Sequence, residues 1–221
     1  MLPTSSVGRK LLMAATGQLM IVYVAAHLLG NLTIFAKAIN AYAAALHSVP
    51  LLLWAIRAAM FVVLCLHVFF GIQLTLENNA SRPERYVKQE NQASTFAGRN
   101  MVWTGALIGA FLVFHLLHFT FQTIDPASAA RTHLDAAGRP DVLLMVARGL
   151  QRIGFAVLYA IAVSSLWLHL SHGIQSSFQT WGLNGERSFP YIRRGGSVAA
   201  LTIWLAYLSI PLALATGFLL R

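Results

Sequence analysis

Charge is scarce in this chain, and acidic charge scarcer still. Only 10% of the 221 residues are charged, with 7 Asp+Glu against 16 Lys+Arg. A soluble globular domain carries about 25%, so an ordinary soluble enzyme is excluded. A hydrophobic content of 57% excludes a disordered chain. One Cys rules out a disulfide framework and a cysteine-ligated iron–sulfur cluster within the chain. No Walker loop, His-Glu-x-x-His or nucleophile elbow is present. The basic residues are scattered between apolar runs, which speaks against a nucleic-acid partner. What remains is an integral membrane protein in contact with lipid. Its mean hydropathy is +0.63 and its pI about 10.5, and the basic excess reads as membrane topology.

A helix needs about 20 apolar residues to cross the hydrocarbon core. Five stretches qualify, at about 11–35, 51–76, 101–121, 148–174 and 198–220. They are rich in Leu, Ala and Phe and uncharged at their centres, so the expected fold is all-α. It is one domain over 1–221, a bundle of five transmembrane helices. Ser5 or Ser6 is positioned to cap the first, which begins too soon after too short a leader for a cleaved signal peptide. Two polar segments, 77–100 and 123–146, interrupt otherwise short connections.

Lys and Arg in the loops set the orientation. One side collects Arg9, Lys10, Arg82, Arg85, Lys88, Arg99, Arg187, Arg193 and Arg194. The other has Lys37, Arg131, Arg139 and Arg221, with Arg57, Arg148 and Arg152 near helix starts. The first side is expected to be cytoplasmic, with the N-terminus inside and the C-terminus outside.

Eight histidines stand out. An imidazole inside a lipid-embedded span is costly and calls for a partner or a function. His27, His67, His115 and His169 each sit late in one of the first four spans. Odd spans run outward and even spans inward. His27 and His115 therefore share an outer level, and His67 and His169 an inner one. At 1.5 Å per residue the levels lie about 10–15 Å apart. Two bis-imidazole haems stacked across a membrane have this arrangement.

The chain also repeats itself. Thr16-Gly17 precedes His27 as Thr104-Gly105 precedes His115, with ten residues from Gly to His in each. His67 is followed by Gly71-Ile72-Gln73, and His169 by Gly173-Ile174-Gln175. Glycine lets a flat macrocycle approach the backbone. Small residues also permit tight helix packing, but the fixed Gly-to-His register favours a cofactor. His118 and His172 lie three residues from their neighbours on nearly the same face and stay open as substitutes. Cys65, among apolar residues, reads as filler. Acidic residues lie only in loops or at helix ends, which counts against an ion-coupled transporter.

These residues carry a resemblance. Ser6, Gly8, Lys10, Thr16-Gly17 and His27-Leu28 with Gly30-Asn31 resemble the start of the diheme cytochrome b subunit of succinate:quinone oxidoreductases. So do Asn40, Tyr42 and Leu46-His47, then Phe114-His115 with His118-Phe119-Thr120. The run His169-Leu170, His172-Gly173, Ser177-Phe178-Gln179 and Gly182 completes it. The likeness extends over nearly the whole chain. It implies an anchor in the bacterial cytoplasmic membrane for a flavoprotein and an iron–sulfur subunit on the cytoplasmic face. Two b haems and a quinone, menaquinone or ubiquinone, are implied, with succinate oxidation or its reverse in a partner subunit. The implied axial ligands are His67 with His169 and His27 with His115.

Other roles follow from topology. Gly17, Gly71, Gly105 and Gly173 are candidates for haem packing. Arg57, Arg148 and Arg152 are candidates for the outer propionates. Arg82, Arg85, Lys88 and Arg99 face the partner or the inner propionates. Asn31, Asn40, Tyr42, His47 and His118 are candidates for the quinone. Some fumarate reductases of this kind place a Glu two residues before the fourth ligand, as part of a compensating proton path. Trp167 stands there, so that path is expected to be absent and protons are expected to exchange with the outside. Three readings compete with the favoured one: a diheme cytochrome b of a hydrogenase or formate dehydrogenase, a transporter, and a cofactor-free membrane protein. Dimers or trimers of the complex are both open.

Overall fold

The computed structural model describes residues 5–81 and 95–220. Arg82, Arg85, Lys88 and Arg221 fall outside the described residues. The chain is 81% helical, and no strand occurs among the described residues. Eight α-helices are described: α1 (Ser6–Leu32), α2 (Ile39–His47), α3 (Pro50–Ala80), α4 (Phe96–Arg99), α5 (Met101–His115), α6 (Val142–Gln151), α7 (Ile153–Thr180) and α8 (Phe189–Ala215). α5 continues through a π-helical turn, Leu116–Thr120. Five of these segments are long and apolar enough to cross a membrane, which makes this a multi-pass membrane protein.

Sequence chemistry explains the ends. Ser5 caps α1, its hydroxyl accepting from the Gly8 N–H at 3.0 Å, which satisfies a donor the helix itself cannot. The helix stops at Leu32, three residues before the expected end. There the Thr33 hydroxyl donates to the Gly30 carbonyl at 2.6 Å and the chain turns to Lys37 at φ 52°. α8 closes on Thr216, followed by Gly217 at φ 70°, a left-handed stop that glycine adopts without steric cost.

Two expected spans change. The fourth is not continuous from 148. α6 ends at Gln151, Arg152 is extended (ψ 107°), and α7 starts afresh at Ile153. The Arg152 side chain is drawn to Asp125 at 3.1 Å, which pulls the backbone off the helical path. The fifth begins at Phe189, nine residues earlier than expected, with Pro190 in its first turn, a position where proline's missing N–H costs nothing. Arg193, Arg194, Gly195 and Gly196 read as loop by composition, yet they form its opening turns.

α3 and α5 are outriggers, packed chiefly on α1 and α7 respectively. α1 and α7 pack on each other and on α8. Four helices thus form a square in the order α3, α1, α7, α5, with no extensive contact closing the α3–α5 side. α1 stands diagonal to α5, and α3 to α7. Much of the surface is apolar and exposed, including Leu51, Trp54, Phe61 and Trp103, as lipid-facing helices require.

The two ends differ. At the amino-terminal end, Arg9 of α1 pairs with Glu77 of α3 at 3.0 Å. The opposite end is capped by α2, α6 and the segment between α5 and α6. Ile34, Ile39, Ala130, Met145, Leu150, Ile210 and Leu214 form its apolar core. Asn40, buried, pins this cap. Its amide donates to Asp135 at 3.3 Å and Asp141 at 3.0 Å, and its carbonyl accepts from the Leu143 N–H at 2.8 Å.

Candidate functional site

The imidazoles meet along the two diagonals of the square. The ring centroids of His67 and His169 are 6.4 Å apart, with the planes crossed at 68°. Those of His27 and His115 are 6.0 Å apart, crossed at 87°. All four rings are half-buried. Each pair joins helices that make no extensive contact otherwise.

The Thr-Gly pairs take a role that the sequence pattern does not reveal. They serve the histidine of the adjacent helix, not the one on their own. Thr16 Oγ1 lies 3.3 Å from His67 Nδ1, and Thr104 Oγ1 lies 3.1 Å from His169 Nδ1. Each hydroxyl hydrogen is directed at a backbone carbonyl of its own helix, Leu12 at 2.8 Å and Asn100 at 3.0 Å for the shorter contacts. A hydroxyl that spends its one proton there can only accept from the imidazole. The His67 ring also reaches the Met13 carbonyl, and the His169 ring that of Met101. Carbonyls accept only, so the ring proton belongs on Nδ1 and the lone pair on Nε2 in both residues.

The glycines make this approach possible. A Cβ on Gly17 would stand 3.2 Å from His67 Cε1, and one on Gly105 3.4 Å from His169 Cε1. So these two glycines receive an imidazole edge. Gly71 faces Met13, with its Cε 3.5 Å from an added Cβ, and Gly173 has nothing within 4 Å of one. Thr16 and His27 are eleven residues apart on α1, as are Thr104 and His115 on α5. The two levels are therefore separated by about 16.5 Å of helix rise, somewhat more than the expected 10–15 Å.

The second pair is held differently. The Tyr159 hydroxyl lies 3.2 Å from Nδ1 of both His115 and His118. Tyr159 was not foreseen, although its register was visible: it stands ten residues before His169, as Arg57 stands ten before His67. His27 stacks on Tyr23 at 5.8 Å and 8°. His118 is buried and stacked on Phe119 at 4.0 Å. Its ring is seated on Gly149 of α6, where a Cβ would meet Nε2 at 3.0 Å. His172 repeats that device at the other end, seated on Gly98 of α4, where a Cβ would meet Nδ1 at 3.0 Å.

The remaining candidates are dispersed. Asn31 donates to the His27 carbonyl at 2.7 Å, Asn40 pins the cap, and Tyr42 packs on Gly30. His47 is exposed and bonded to the Ala43 carbonyl at 2.8 Å. Arg57 lies over Trp54 at 5.0 Å, Arg148 donates to His133 Nε2 at 3.2 Å, and Arg152 pairs with Asp125. Arg99 closes α4. Trp167 stacks on Trp204 of α8 at 5.1 Å.

Comparison with family models, with curated proteins and with solved structures returns no match. The site is therefore read from its own chemistry. Among the described residues no group of three or more His, Cys, Asp or Glu could hold a metal ion.

Proposed function

We propose that the chain is the membrane-anchor cytochrome b subunit of a succinate:quinone oxidoreductase, with one b haem between His67 and His169 and a second between His27 and His115. The observation that carries this reading is the separation within the two pairs. His67 with His169, and His27 with His115, would each hold an iron between their imidazoles. The pairs stand at 6.4 Å and 6.0 Å.

The donor chemistry supports the same assignment. Metal-ligating histidines nearly always donate their second ring N–H to an oxygen. Thr16 and Thr104 accept that proton for His67 and His169, and Tyr159 stands beside Nδ1 of His115. These contacts fix the rings before any ligand arrives. Haem bound there would supply reversible one-electron exchange at its iron.

In this reading the amino-terminal end faces the cytoplasm of a bacterium and receives the iron–sulfur and flavoprotein subunits. The capped end faces outward. His67 and His169 lie nearer the partner, and His27 and His115 nearer the cap, so electrons cross between the partner and a membrane quinone. Succinate or fumarate is handled in the partner, since nothing in these spans resembles a dicarboxylate site.

The test is a dithionite-reduced-minus-oxidised spectrum of the purified protein with a haem-to-protein ratio. The expected result is two b haems per chain, with flavoprotein and iron–sulfur subunits co-purifying. Hydrogenase or formate dehydrogenase subunits in their place would move the chain to another diheme cytochrome. Colourless, well-assembled protein would overturn the assignment.

A further inference from the structure

We propose that Arg57 and Trp54, on the lipid-facing side of α3, bind the phosphate of a phospholipid in the leaflet at the capped end. Arg57 is exposed, and its guanidinium lies over the Trp54 ring at 5.0 Å. Trp54, three residues before it, is 65% exposed, and Phe61, four residues after it, 66%. Residues three and four apart share one helix face. Arg57 therefore stands in a stripe of α3 that meets lipid.

A cation on such a face is costly unless an anion meets it. Among the described residues Arg57 has no ion pair and no hydrogen bond. The acids of the capped end are committed elsewhere. Asp125 pairs with Arg152 and Asp135 with Arg139. Asp141 accepts from Asn40 and from the Leu144 N–H that opens α6. The chain beyond Ser81 leaves α3 at its other end, about 36 Å of helix rise from Arg57. The membrane itself is then the source of the counter-charge.

Depth points to the phosphate. Arg57 and Glu77 are twenty residues apart on α3, about 30 Å of rise, which is the thickness of the hydrocarbon layer. Glu77 with Arg9 marks one boundary, so Arg57 falls at the other, where headgroups begin. Helical side chains lean toward the helix N-terminus, which for α3 is the capped end. The Trp54 ring holds the guanidinium on that course, and tryptophan itself favours this level of a bilayer. Guanidinium matches phosphate geometry with two parallel N–H donors. A competing anion is the propionate of a haem on His27. Tyr23, stacked on that histidine, lies within reach of the Arg57 charge. The propionate arm rests on the function proposed above, whereas the phospholipid requires no haem.

The experiment compares wild type with Arg57→Gln and Arg57→Lys, each purified from membranes with its accompanying subunits. Each is supplemented with phosphatidylglycerol or with a phosphate-free diacylglycerol glycolipid. Native mass spectrometry reads retained lipid, and a redox titration reads the haem bands. Phosphatidylglycerol retention is expected to weaken about ten-fold in Arg57→Gln, the scale of one charge-assisted hydrogen bond, and to be largely restored in Arg57→Lys. Glycolipid retention and both haem bands should stay at wild-type values. Wild-type retention of phosphatidylglycerol in Arg57→Gln overturns the site, as does an equal loss of both lipids. A shifted midpoint for one haem band, with lipid retention unchanged, overturns it in favour of the propionate. If Arg57→Gln fails to assemble, Trp54→Leu, which removes the ring that holds the guanidinium, carries the same readings. Wild-type protein without haem sinks the function proposed above, and lipid retention alone then decides the site.

Discussion

Arg57 and Tyr159 hold the same place in two similar helices, ten residues before His67 and His169. Tyr159 is buried and bonded to two histidines, whereas Arg57 turns away onto Trp54. The contrast extends along both halves. α1 with α3 carries only what each pair needs: one Thr-Gly clip and two histidines. α5 with α7 carries the same parts plus His118, Tyr159 and His172. Where the first half has Gly30 and Phe70, the second has His118 and His172. Each added imidazole is covered by a short helix through a glycine, α6 through Gly149 and α4 through Gly98. The pairing chemistry is thus shared between the halves, and the added imidazoles are built on the second.

The largest effects should follow the diagonals and ignore the halves. His67→Ala and His169→Ala are each expected to remove the same spectral band, lowering the haem-to-protein ratio from about two to about one. His27→Ala and His115→Ala should remove the other. Loss of different bands by two members of one diagonal would break the pairing. Next come the clips. Thr16→Val and Thr104→Val should weaken haem retention about 10–100-fold, the usual cost of removing an outer-shell partner. Thr→Ser at either place should restore it, because the hydroxyl is what matters. Equal effects at both positions would show the halves to be equivalent at this level.

Asymmetry should appear at Tyr159. Tyr159→Phe removes a buried hydroxyl and should cost roughly 1 kcal/mol of stability, while moving only the band assigned to His27 and His115. Arg57→Leu at the matching register should leave both bands in place. The smallest effect concerns the cap, to which both halves contribute. Arg139 first, then the Ala137 N–H and Asn40, hold the half-buried Asp135 carboxyl down at about 2. A depressed carboxyl stabilises above its unfolded value of about 3.9 and loses that contribution as pH falls through its folded one. Backbone chemical shifts of 135–139 should therefore hold from neutral pH to about 3 and change with a midpoint near pH 2. In Asp135→Asn they should be displaced already at neutral pH.

The spans and the histidine levels were legible because hydropathy and helix rise are one-dimensional quantities. The cap was not. α2 and α6 are too short to register as spans, and Asn40 gains its meaning from Asp135, Asp141 and Leu143, about a hundred residues away. The Arg152 break was hidden for the same reason, since its cause is Asp125. The start of α8 was misplaced because Arg193-Arg194-Gly195-Gly196 has the composition of a loop. Thr16 and Thr104 were visible as a repeated pattern, but their purpose was not. A periodicity along one helix cannot say that its neighbour supplies the imidazole.

The diagonal arrangement also constrains biosynthesis. Every pair takes one histidine from α1 or α3 and one from α5 or α7, so a nascent chain inserted only as far as α3 displays two unmatched imidazoles and no complete ligand set. Neither centre can be loaded during synthesis of the first half. Once both halves are in the bilayer, whatever bridges the imidazoles cross-links them. If the chain binds haem as proposed, the α3–α5 side, which no extensive helix contact closes, would give the macrocycle a lateral route from the membrane. On this view cofactor insertion would be a late step of assembly, after α1 has packed on α7 and α8.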